Sequence, residues 1–297
     1  MKKFVKKIKN ALPYGFINYL GQTNRWSSAP GGFYSPIPSK KEIEKYDFSA
    51  SLPETIPGID LNTREQMDLL SSFEPFYNEL PFPDKKTEGL RYYYENGNYS
   101  YSDAIFLYCM IRHLTPRKLI EIGSGFSSSV TLDTNEKFLG NSINCTFIEP
   151  YPQLLKTLLT NNDKENVTIH EKYLQEIPIE VFQELGENDI LFVDSTHVGK
   201  FNSDVNYLFH QILPALDKGV YIHFHDIFYP FEYPKEWLLE GKAWNEQYML
   251  RTFLQYNNKF KIVMFNTYLE FMFEAEIKNR YPLLYKNTGG SIWLKKI

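Results

Sequence analysis

The stretch Lys118-Leu-Ile-Glu-Ile-Gly-Ser-Gly-Phe-Ser127 says most about the fold of this chain. A short apolar run that contains Glu121 ends at Gly123 and Gly125. This pattern predicts a buried parallel strand that turns into the N-terminus of a helix, where backbone N–H groups and the helix dipole meet a ligand. We expect both glycines to adopt positive φ and to let a ligand approach the backbone closely. The motif therefore predicts a nucleotide-like cofactor, with Glu121 facing the same crevice.

The composition indicates a globular protein with a large core. The chain has 297 residues, of which 43% are hydrophobic and 16% aromatic. A net charge of −4 argues against a nucleic-acid-binding domain, because such domains are usually basic. Cys109 and Cys145 both lie in apolar runs, which is typical of buried thiols rather than of a disulfide framework or a metal cluster. We therefore expect a cytoplasmic protein without a nucleic-acid partner.

The N-terminal segment, residues 1–20, is basic and amphipathic. No apolar run in the chain approaches the ~20 residues that a membrane span needs, and we expect neither a span nor a signal peptide. Phe4, Val5, Ile8 and Leu12 fall on one helical face and most of the lysines fall on the other. Two interpretations stay open: a helix that packs on the protein body, or peripheral contact with the inner face of a membrane.

The chain changes character near residue 96. Residues 1–95 are rich in proline, turns and aromatic side chains, and we interpret them as an N-terminal extension that packs on the main domain and lids its site. Residues 96–297 alternate apolar runs with helical patterns, which predicts an α/β domain with a parallel sheet covered on both faces. The predicted strands are 117–122, 143–148, 166–170, 189–194, 219–224, 259–265 and a last one after 289. The predicted helices are 102–113, 127–139, 151–161, 178–185, 203–216 and 244–257.

Two kinds of cofactor use a glycine turn after the first strand. A dinucleotide fold prefers a third glycine and an acid about 20 residues on. Here Ser128 stands where the third glycine would be, and Glu149 follows Gly123 by 26 positions. The motif also begins late in the chain, and a seventh strand follows the sixth. Together these features favour S-adenosylmethionine over NAD.

From about residue 100 onward the chain resembles class I S-adenosylmethionine-dependent methyltransferases, closest to the bacterial small-molecule and glycan O-methyltransferases of the macrocin type. The matching stretches are 119–125, 147–150, 189–197 and 219–226. The resemblance implies a Rossmann-like seven-stranded sheet of order 3-2-1-4-5-7-6 with strand 7 antiparallel. It also implies that the glycine turn holds the methionine part of the cofactor and that Glu149 binds the ribose. The family often places an acid near the adenine after the third strand; here the segment is His170-Glu-Lys-Tyr-Leu-Gln175, and the adenine contacts stay open. The candidate cofactor-binding residues are Glu121, Gly123, Ser124, Gly125, Ser127, Glu149 and Asp194.

The candidate catalytic residues lie at the ends of the fourth and fifth strands. His197, His225 and Asp226 follow these neighbouring strands, and ligands of open α/β sheets sit beyond the strand ends. A histidine suits a general base because its pKa is ordinarily near ~6.5. Asp194 and Asp226 are also candidate ligands for Mg²⁺, although histidine is a poor ligand for that ion. His223 lies on the same strand face as His225, either at the site or in the core.

The aromatic, proline-rich loop 226–237 is expected to form a wall of the acceptor pocket, where its rings would suit a sugar or a flat ring. The sequence thus predicts methyl transfer from S-adenosylmethionine to a hydroxyl of a small-molecule or glycan-type acceptor. Two alternatives remain: an NAD-dependent oxidoreductase, and a catalytically silent cofactor-binding or scaffold protein.

Overall fold

The computed structural model describes residues 28, 30–165 and 167–297. The predicted amphipathic segment at residues 1–20 lies outside them. Within the described part of the chain, no helix is both long and apolar enough to cross a membrane.

A seven-stranded sheet organises the protein, and its strand order is β3-β2-β1-β4-β5-β7-β6. The first five strands pair in parallel, whereas β7 runs antiparallel to both β5 and β6. The predicted topology is therefore confirmed. The strands are β1 Lys118–Ile122, β2 Asn144–Ile148, β3 Val167–His170, β4 Ile190–Val193, β5 Tyr221–His225, β6 Phe260–Phe265 and β7 Ser291–Lys296.

Helices connect and flank the strands. They are α1 Lys40–Lys45, α2 Thr63–Ser72, α3 Glu74–Tyr77, α4 Tyr101–Leu114, α5 Phe126–Phe138, α6 Gln153–Leu158, α7 Ile179–Gln183, α8 Asp204–Tyr207, α9 Leu213–Ala215, α10 Lys235–Leu239, α11 Glu246–Leu254, α12 Asn266–Met272 and α13 Glu274–Arg280. Short 3₁₀ turns lie at Asn161–Glu165, Leu174–Glu176 and Pro282–Lys286.

The helix predicted at 203–216 is not one continuous α-helix. A π-helical turn at Leu208–Ile212 separates α8 from α9, and Pro214 follows immediately. Proline has no backbone N–H and its ring clashes with the carbonyl of the preceding turn, so a regular α-helix cannot run through it unchanged. The pair α12 and α13 was not predicted at all.

The described residues form two compact units. One consists of the residues up to Ser51 together with Pro234–Ala243, and contains α1 and α10. There Ser39 caps α1, and a reciprocal hydrogen bond from its own backbone N–H to Glu42 completes a capping box. The other unit, Leu52–Tyr233 with Trp244–Ile297, contains the sheet.

The predicted boundary at residues 95 and 96 is not a packing boundary, because residues 52–95 belong to the unit that contains the sheet. Arg91 explains much of this attachment. Its buried guanidinium lies 2.6 Å from Asp133 of α5 and 2.7 Å from Asp163. The backbone N–H groups of Arg91 and Tyr92 also donate to Asp133. Buried charges need such partners, so this segment is fixed to the domain rather than appended to it.

Candidate active site

The glycine turn joins β1 to α5 as the sequence predicts, but only one of its two glycines has positive φ. Gly123 has a φ of 76°. A Cβ at this position would collide with the backbone carbonyl oxygen of Asp194 at the end of β4. Gly125 has a φ of 179°, which is extended backbone, so the prediction of positive φ is wrong there. The close approach of two strand ends, rather than turn geometry alone, explains why position 123 needs glycine.

Contrary to the prediction, the side chain of Glu121 does not face the crevice. It is fully buried beside α5. Its Oε1 atom accepts hydrogen bonds from Ser127 at 2.6 Å and Ser128 at 2.9 Å. Burial raises the pKa of Glu121 to about 8, despite those two bonds. The side chain of Ser127 is therefore engaged by Glu121. The serine-rich start of α5 forms a polar contact between helix and strand, and the sequence did not distinguish that role from cofactor binding.

Glu149 follows β2 and lies beside the turn. Its Oε2 accepts the backbone N–H of Ser124 at 3.3 Å, and its Oε1 accepts that of Tyr151 at 2.7 Å. These bonds fix the carboxylate at the rim of a cavity and leave lone pairs on both oxygens for further donors.

A cavity of about 360 Å³ opens at the carboxyl ends of β1, β2 and β4. Among the predicted cofactor residues, Gly123, Glu149 and Asp194 line it, whereas Glu121, Ser124, Gly125 and Ser127 do not. Further lining residues were not singled out from the sequence. These are Tyr151, Tyr173, Gln175, Lys200, Asn202 and Asp204, together with several neighbours in the same loops.

Tyr151 and Tyr173 form a bridge beside this cavity. Their hydroxyl oxygens are 2.7 Å apart, and their rings meet edge to face with centroids separated by 6.3 Å. Both rings are largely exposed to solvent, at 66% and 50%. Exposed aromatic faces beside a cavity are suited to stacking on a flat ring. The segment 170–175, where the sequence left the adenine contacts open, therefore contributes an aromatic side chain rather than an acid.

His197 lies at the centre of an ionic cluster next to the cavity. Its Nε2 is 3.3 Å from Asp194 Oδ1 and 3.5 Å from Asp226 Oδ2. Its Nδ1 is 2.9 Å from Glu246 Oε2. Burial by itself would lower the pKa of His197, but the hydrogen bonds to Asp194 and Glu246 outweigh it and raise the pKa to about 10. His197 is therefore protonated near neutral pH, and both of its ring nitrogens are engaged.

The cluster also determines the charge of Asp194. Burial would raise the pKa of this carboxyl, but the hydrogen bond with His197 and the positive charges of His225 and His197 hold the pKa below its ordinary value. The carboxylate of Asp194 is thus ionised. Asp194 is one of the negatively charged groups that surround the imidazole of His197.

Glu246 is the residue of this cluster that sequence reasoning missed. It begins α11, is 1% exposed, and accepts a 2.8 Å hydrogen bond from Ser195 as well as the contact with His197. The backbone carbonyl of His197 in turn accepts the N–H groups of Asn245 and Glu246. His197 has a φ of 59°, and these contacts hold it in that left-handed conformation. The only sequence signal was an acid at the start of a predicted helix, which is common without any functional role.

His225 and Asp226 end β5 on the other side of the cluster. His225 Nε2 is 3.5 Å from Asp226 Oδ1, and its Nδ1 has no hydrogen-bond partner among the described residues. Burial would lower the pKa of His225, but the negative charges of Asp226, Asp194 and Asp103 raise it. Asp103 approaches from the start of α4, and burial raises its own pKa to about 6. The predicted meeting of the β4 and β5 ends is thus present in the structure.

His223 belongs to the core. Its ring stacks on Phe192 with centroids 4.1 Å apart and contacts Trp293 at 4.8 Å. Burial lowers its pKa well below the ordinary value, so it is neutral. His223 and His225 do share one strand face, with stacked rings 6.1 Å apart. The face was predicted correctly, but only His225 lies at the strand end.

The aromatic loop after Asp226 contributes less to the site than predicted. Tyr229 and Phe231 pack against Phe265 at the end of β6 and are buried in the core. Residues 234–237 belong to the other compact unit. An aromatic ring outside this loop, that of Trp244, reaches the cluster, with its centroid 4.3 Å from that of His197.

Comparison with known proteins gives one family match, which covers part of the chain. The chain is 34% identical over 168 residues to an uncharacterized protein of Archaeoglobus fulgidus, and the match covers 54% of this chain and 75% of that one. Residues 120–227, which contain the glycine turn and both strand ends of the cluster, match a family model described as a methyltransferase domain. The domain that contains these residues is therefore similar to the class I S-adenosylmethionine-dependent methyltransferases. The strand order with an antiparallel β7 agrees with this family and gives no support to an NAD-dependent oxidoreductase.

Solved structures similar to this chain include the apo structure of CmcI. That likeness has 18% identity and a TM-score of 0.38, covers 54% of this chain and spans only 63% of the length of CmcI. A second is the O-methyltransferase TomG of Streptomyces achromogenes, from tomaymycin synthesis, in complex with S-adenosylmethionine. It has 13% identity and a TM-score of 0.44, and the match covers 77% of this chain and 89% of that one.

Proposed function

We propose that this protein transfers the methyl group of S-adenosylmethionine to a hydroxyl oxygen of a small-molecule or glycan-type acceptor. One observation carries the proposal. A cavity bordered by Gly123 and Glu149 lies directly beside the ionic cluster of His197, Asp194 and Asp226. Cofactor seat and proton-handling groups therefore adjoin at the carboxyl ends of neighbouring strands, as a two-substrate reaction requires.

The lining residues of the cavity favour one orientation of the bound cofactor. Glu149 is fixed by two backbone N–H groups and is positioned to accept the ribose hydroxyls. Gly123 lets the methionine part approach the backbone where β1 and β4 meet. Tyr151 and Tyr173 supply aromatic surface for the adenine, and Glu171 of the same segment does not line the cavity.

Methyl transfer breaks the bond from carbon to sulfur and forms one from carbon to oxygen. The electron pair of the broken bond stays on sulfur as a thioether, and the hydroxyl proton must leave to a base. His197 does not suit this role, because both of its ring nitrogens are engaged. We assign proton removal to His225. Its Nδ1 is buried and has no partner among the described residues, and nearby carboxylates raise its pKa.

His197 and Asp226 act on the reaction through position and charge. A protonated His197 between Asp194 and Asp226 neutralises two carboxylates that would otherwise repel each other at one strand edge. Trp244 packs on the His197 ring and extends the apolar surface of the site. An acceptor hydroxyl at the ionic cluster would lie between the cavity and His225.

A divalent cation is the second cofactor suggested by the resemblance, in the form of Mg²⁺ on Asp194 and Asp226. Ligand atoms of Asp194, His197 and Asp226 all lie within 4.8 Å of one another, and a cation that used His197 would have to displace its Nε2 proton. A bound cation would lower the pKa of a coordinated hydroxyl toward neutral pH. The third group at this point is an imidazole, however, which Mg²⁺ seldom selects.

The test is methyl transfer from methyl-labelled S-adenosylmethionine to separate pools of sugars and phenols, with the methylated position of any product determined by NMR. We expect an O-methyl product from one pool. Label on nitrogen or carbon would contradict the hydroxyl assignment. Tight cofactor binding with no transfer to any pool, or to an extract of small molecules, would favour the catalytically silent alternative.

A further inference from the structure

The positive charge of the protein is concentrated near its N-terminus. Residues 1–41 contain eight Lys and Arg side chains and no Asp or Glu, although the whole chain has a net charge of −4. The compact unit of residues 1–51 and 234–243 has eleven basic and five acidic side chains, a net charge of +6, which leaves −10 on the other unit. The surplus belongs to residues 1–27, which lie outside the described residues, so it is a property of the sequence. A basic segment on an acidic protein indicates an anionic partner.

The described part of the same unit exposes aromatic rings. Phe33 and Tyr34 are 92% and 83% exposed, and their rings meet edge to face with centroids 5.0 Å apart. Tyr46 and Phe48 form a second exposed pair, with centroids 4.7 Å apart. The Nζ atom of Lys235 lies 5.6 Å from the centre of the Phe48 ring. Aromatic rings beside cations are enriched where a bilayer meets water, because one side of the ring is then apolar and the other wet.

The aliphatic residues of the basic segment favour a bilayer over a nucleic acid. A single-stranded nucleic acid would stack its bases on Phe33 and Tyr34, but it offers no apolar surface to Val5, Ile8 and Leu12. The interface of an anionic bilayer accepts both kinds of side chain, since headgroup phosphates attract the lysines and the acyl boundary receives the apolar face. Seven of the eight cations in residues 1–41 are lysines, whereas arginine is the usual choice for phosphate recognition in nucleic acids.

We propose that residues 1–51 bind the surface of a bilayer that contains anionic phospholipid. The lysines of residues 1–9 contact the headgroups, and the apolar face of residues 1–20 enters the interface together with Phe33 and Tyr34. The inference goes beyond the proposed function and does not depend on it, because the residues that carry it neither line the cavity nor belong to the ionic cluster.

The test is co-sedimentation of the full-length protein with two kinds of vesicle, one of phosphatidylcholine alone and one that also contains ~30% phosphatidylglycerol. We expect at least roughly tenfold stronger binding to the anionic vesicles, because each lysine gains attraction only there. Raising the salt from ~0.05 M to ~0.5 M should weaken that binding about tenfold or more, because salt screens exposed charges. Equal binding to both vesicles, or binding to neither, would overturn the proposal.

A charge-matched pair of variants tests whether the N-terminal lysines form the contact. The variant with Lys2→Gln, Lys3→Gln, Lys6→Gln, Lys7→Gln and Lys9→Gln should bind anionic vesicles at least roughly 100-fold more weakly, since each lysine near such a surface contributes about fivefold. The control removes the same charge from exposed lysines of the other unit, through Lys85→Gln, Lys86→Gln, Lys137→Gln, Lys218→Gln and Lys259→Gln. The control should bind as the wild type does. Equal losses in the two variants would overturn the proposal, because net charge alone would then explain the binding.

The double variant Phe33→Ser with Tyr34→Ser tests the described part of the surface. It should bind anionic vesicles about tenfold or more weakly, because it loses apolar area at the interface but no charge. Unchanged binding would contradict a place for these rings in the interface. Binding of the wild type to a DNA oligonucleotide as tightly as to anionic vesicles would favour a nucleic acid and overturn the bilayer proposal. The comparison of wild-type binding to the two vesicles decides the question even if a variant fails to fold.

Discussion

The backbone carbonyl oxygen of Asp194 occupies the space that a side chain on Gly123 would need. The two residues end neighbouring parallel strands, and the N–H of Asp194 also donates to the carbonyl of Ile122 at 2.8 Å. Backbone, not a movable side chain, therefore forms the obstacle. This contact brings the cofactor side of the site and the ionic cluster to one point.

Gly123→Ala should consequently lose affinity for S-adenosylmethionine and destabilise the protein. The matched control is Gly97→Ala. Gly97 has a φ of 83°, but a Cβ there meets nothing within 4 Å. Both variants carry the strain of a positive φ, so their difference isolates the collision, which we expect to cost roughly 1–3 kcal/mol. Thermal unfolding and calorimetric titration measure the two effects. Equal losses in both variants would contradict the role given to the Asp194 carbonyl.

Glu149→Gln should weaken cofactor binding about 10- to 100-fold, because a charged acceptor of hydrogen bonds is worth roughly 1.5–3 kcal/mol. The fold should persist, since the amide keeps one acceptor for the backbone N–H groups. Glu184→Gln is the control, because Glu184 is exposed and pairs only with Lys118 in the described structure. Unchanged affinity in Glu149→Gln would remove Glu149 from the cofactor site.

His225→Gln should lower the rate of methyl transfer by a factor of about 10² to 10⁴ while cofactor affinity stays nearly unchanged. In the wild type the rate should rise with pH through the pKa of His225, which lies above the ordinary value. That rising limb should vanish in the variant. His210→Gln should behave as wild type. A variant that retains both the rate and the pH profile would exclude His225 as the base.

Glu121 predicts a pH dependence of stability in the cofactor-free protein. Its pKa is about 8 in the folded state against an ordinary value near ~4.3, so the folded state binds the proton more tightly. Its contribution is fully present below pH ~4.3 and is lost as pH rises through about 8, at roughly 1.4 kcal/mol per pKa unit.

The free energy of unfolding of Glu121→Gln, minus that of the wild type, should therefore rise by several kcal/mol from about pH 5 to about pH 9. Urea unfolding at both pH values gives the comparison. Glu184→Gln provides the baseline for an exposed carboxylate. If the difference in unfolding free energy between Glu121→Gln and the wild type does not change with pH, Glu121 ionises freely in the folded protein.

The strands were predictable because each is a short apolar run bounded by breaks, and such runs need burial on both faces of a parallel sheet. The strand predicted at 117–122 is Lys118–Ile122 in the structure, and the strand predicted at 219–224 is Tyr221–His225. The pair α12 and α13 was missed because Asn266–Arg280 is mixed in polarity, and α12 is supported by contacts with β7 and α4 that are distant in sequence.

The site was predictable where strand ends alone determine proximity, as with Asp194 and Asp226. It was not predictable where packing joins residues far apart in sequence. Glu246 reaches His197 only because the start of α11 accepts the loop after β4, and this contact removes His197 from consideration as a base. Glu121 and Ser127 were assigned to the cofactor because a polar contact buried between strand and helix has the same sequence pattern.

The most direct test of the account is calorimetric titration of the purified wild-type protein and of Glu149→Gln with S-adenosylmethionine and with NAD. We predict saturable binding of S-adenosylmethionine by the wild type, weaker binding by the variant, and no heat with NAD. Heat with NAD and none with S-adenosylmethionine would contradict the assignment of the cavity beside Gly123 and Glu149 to the methyl donor.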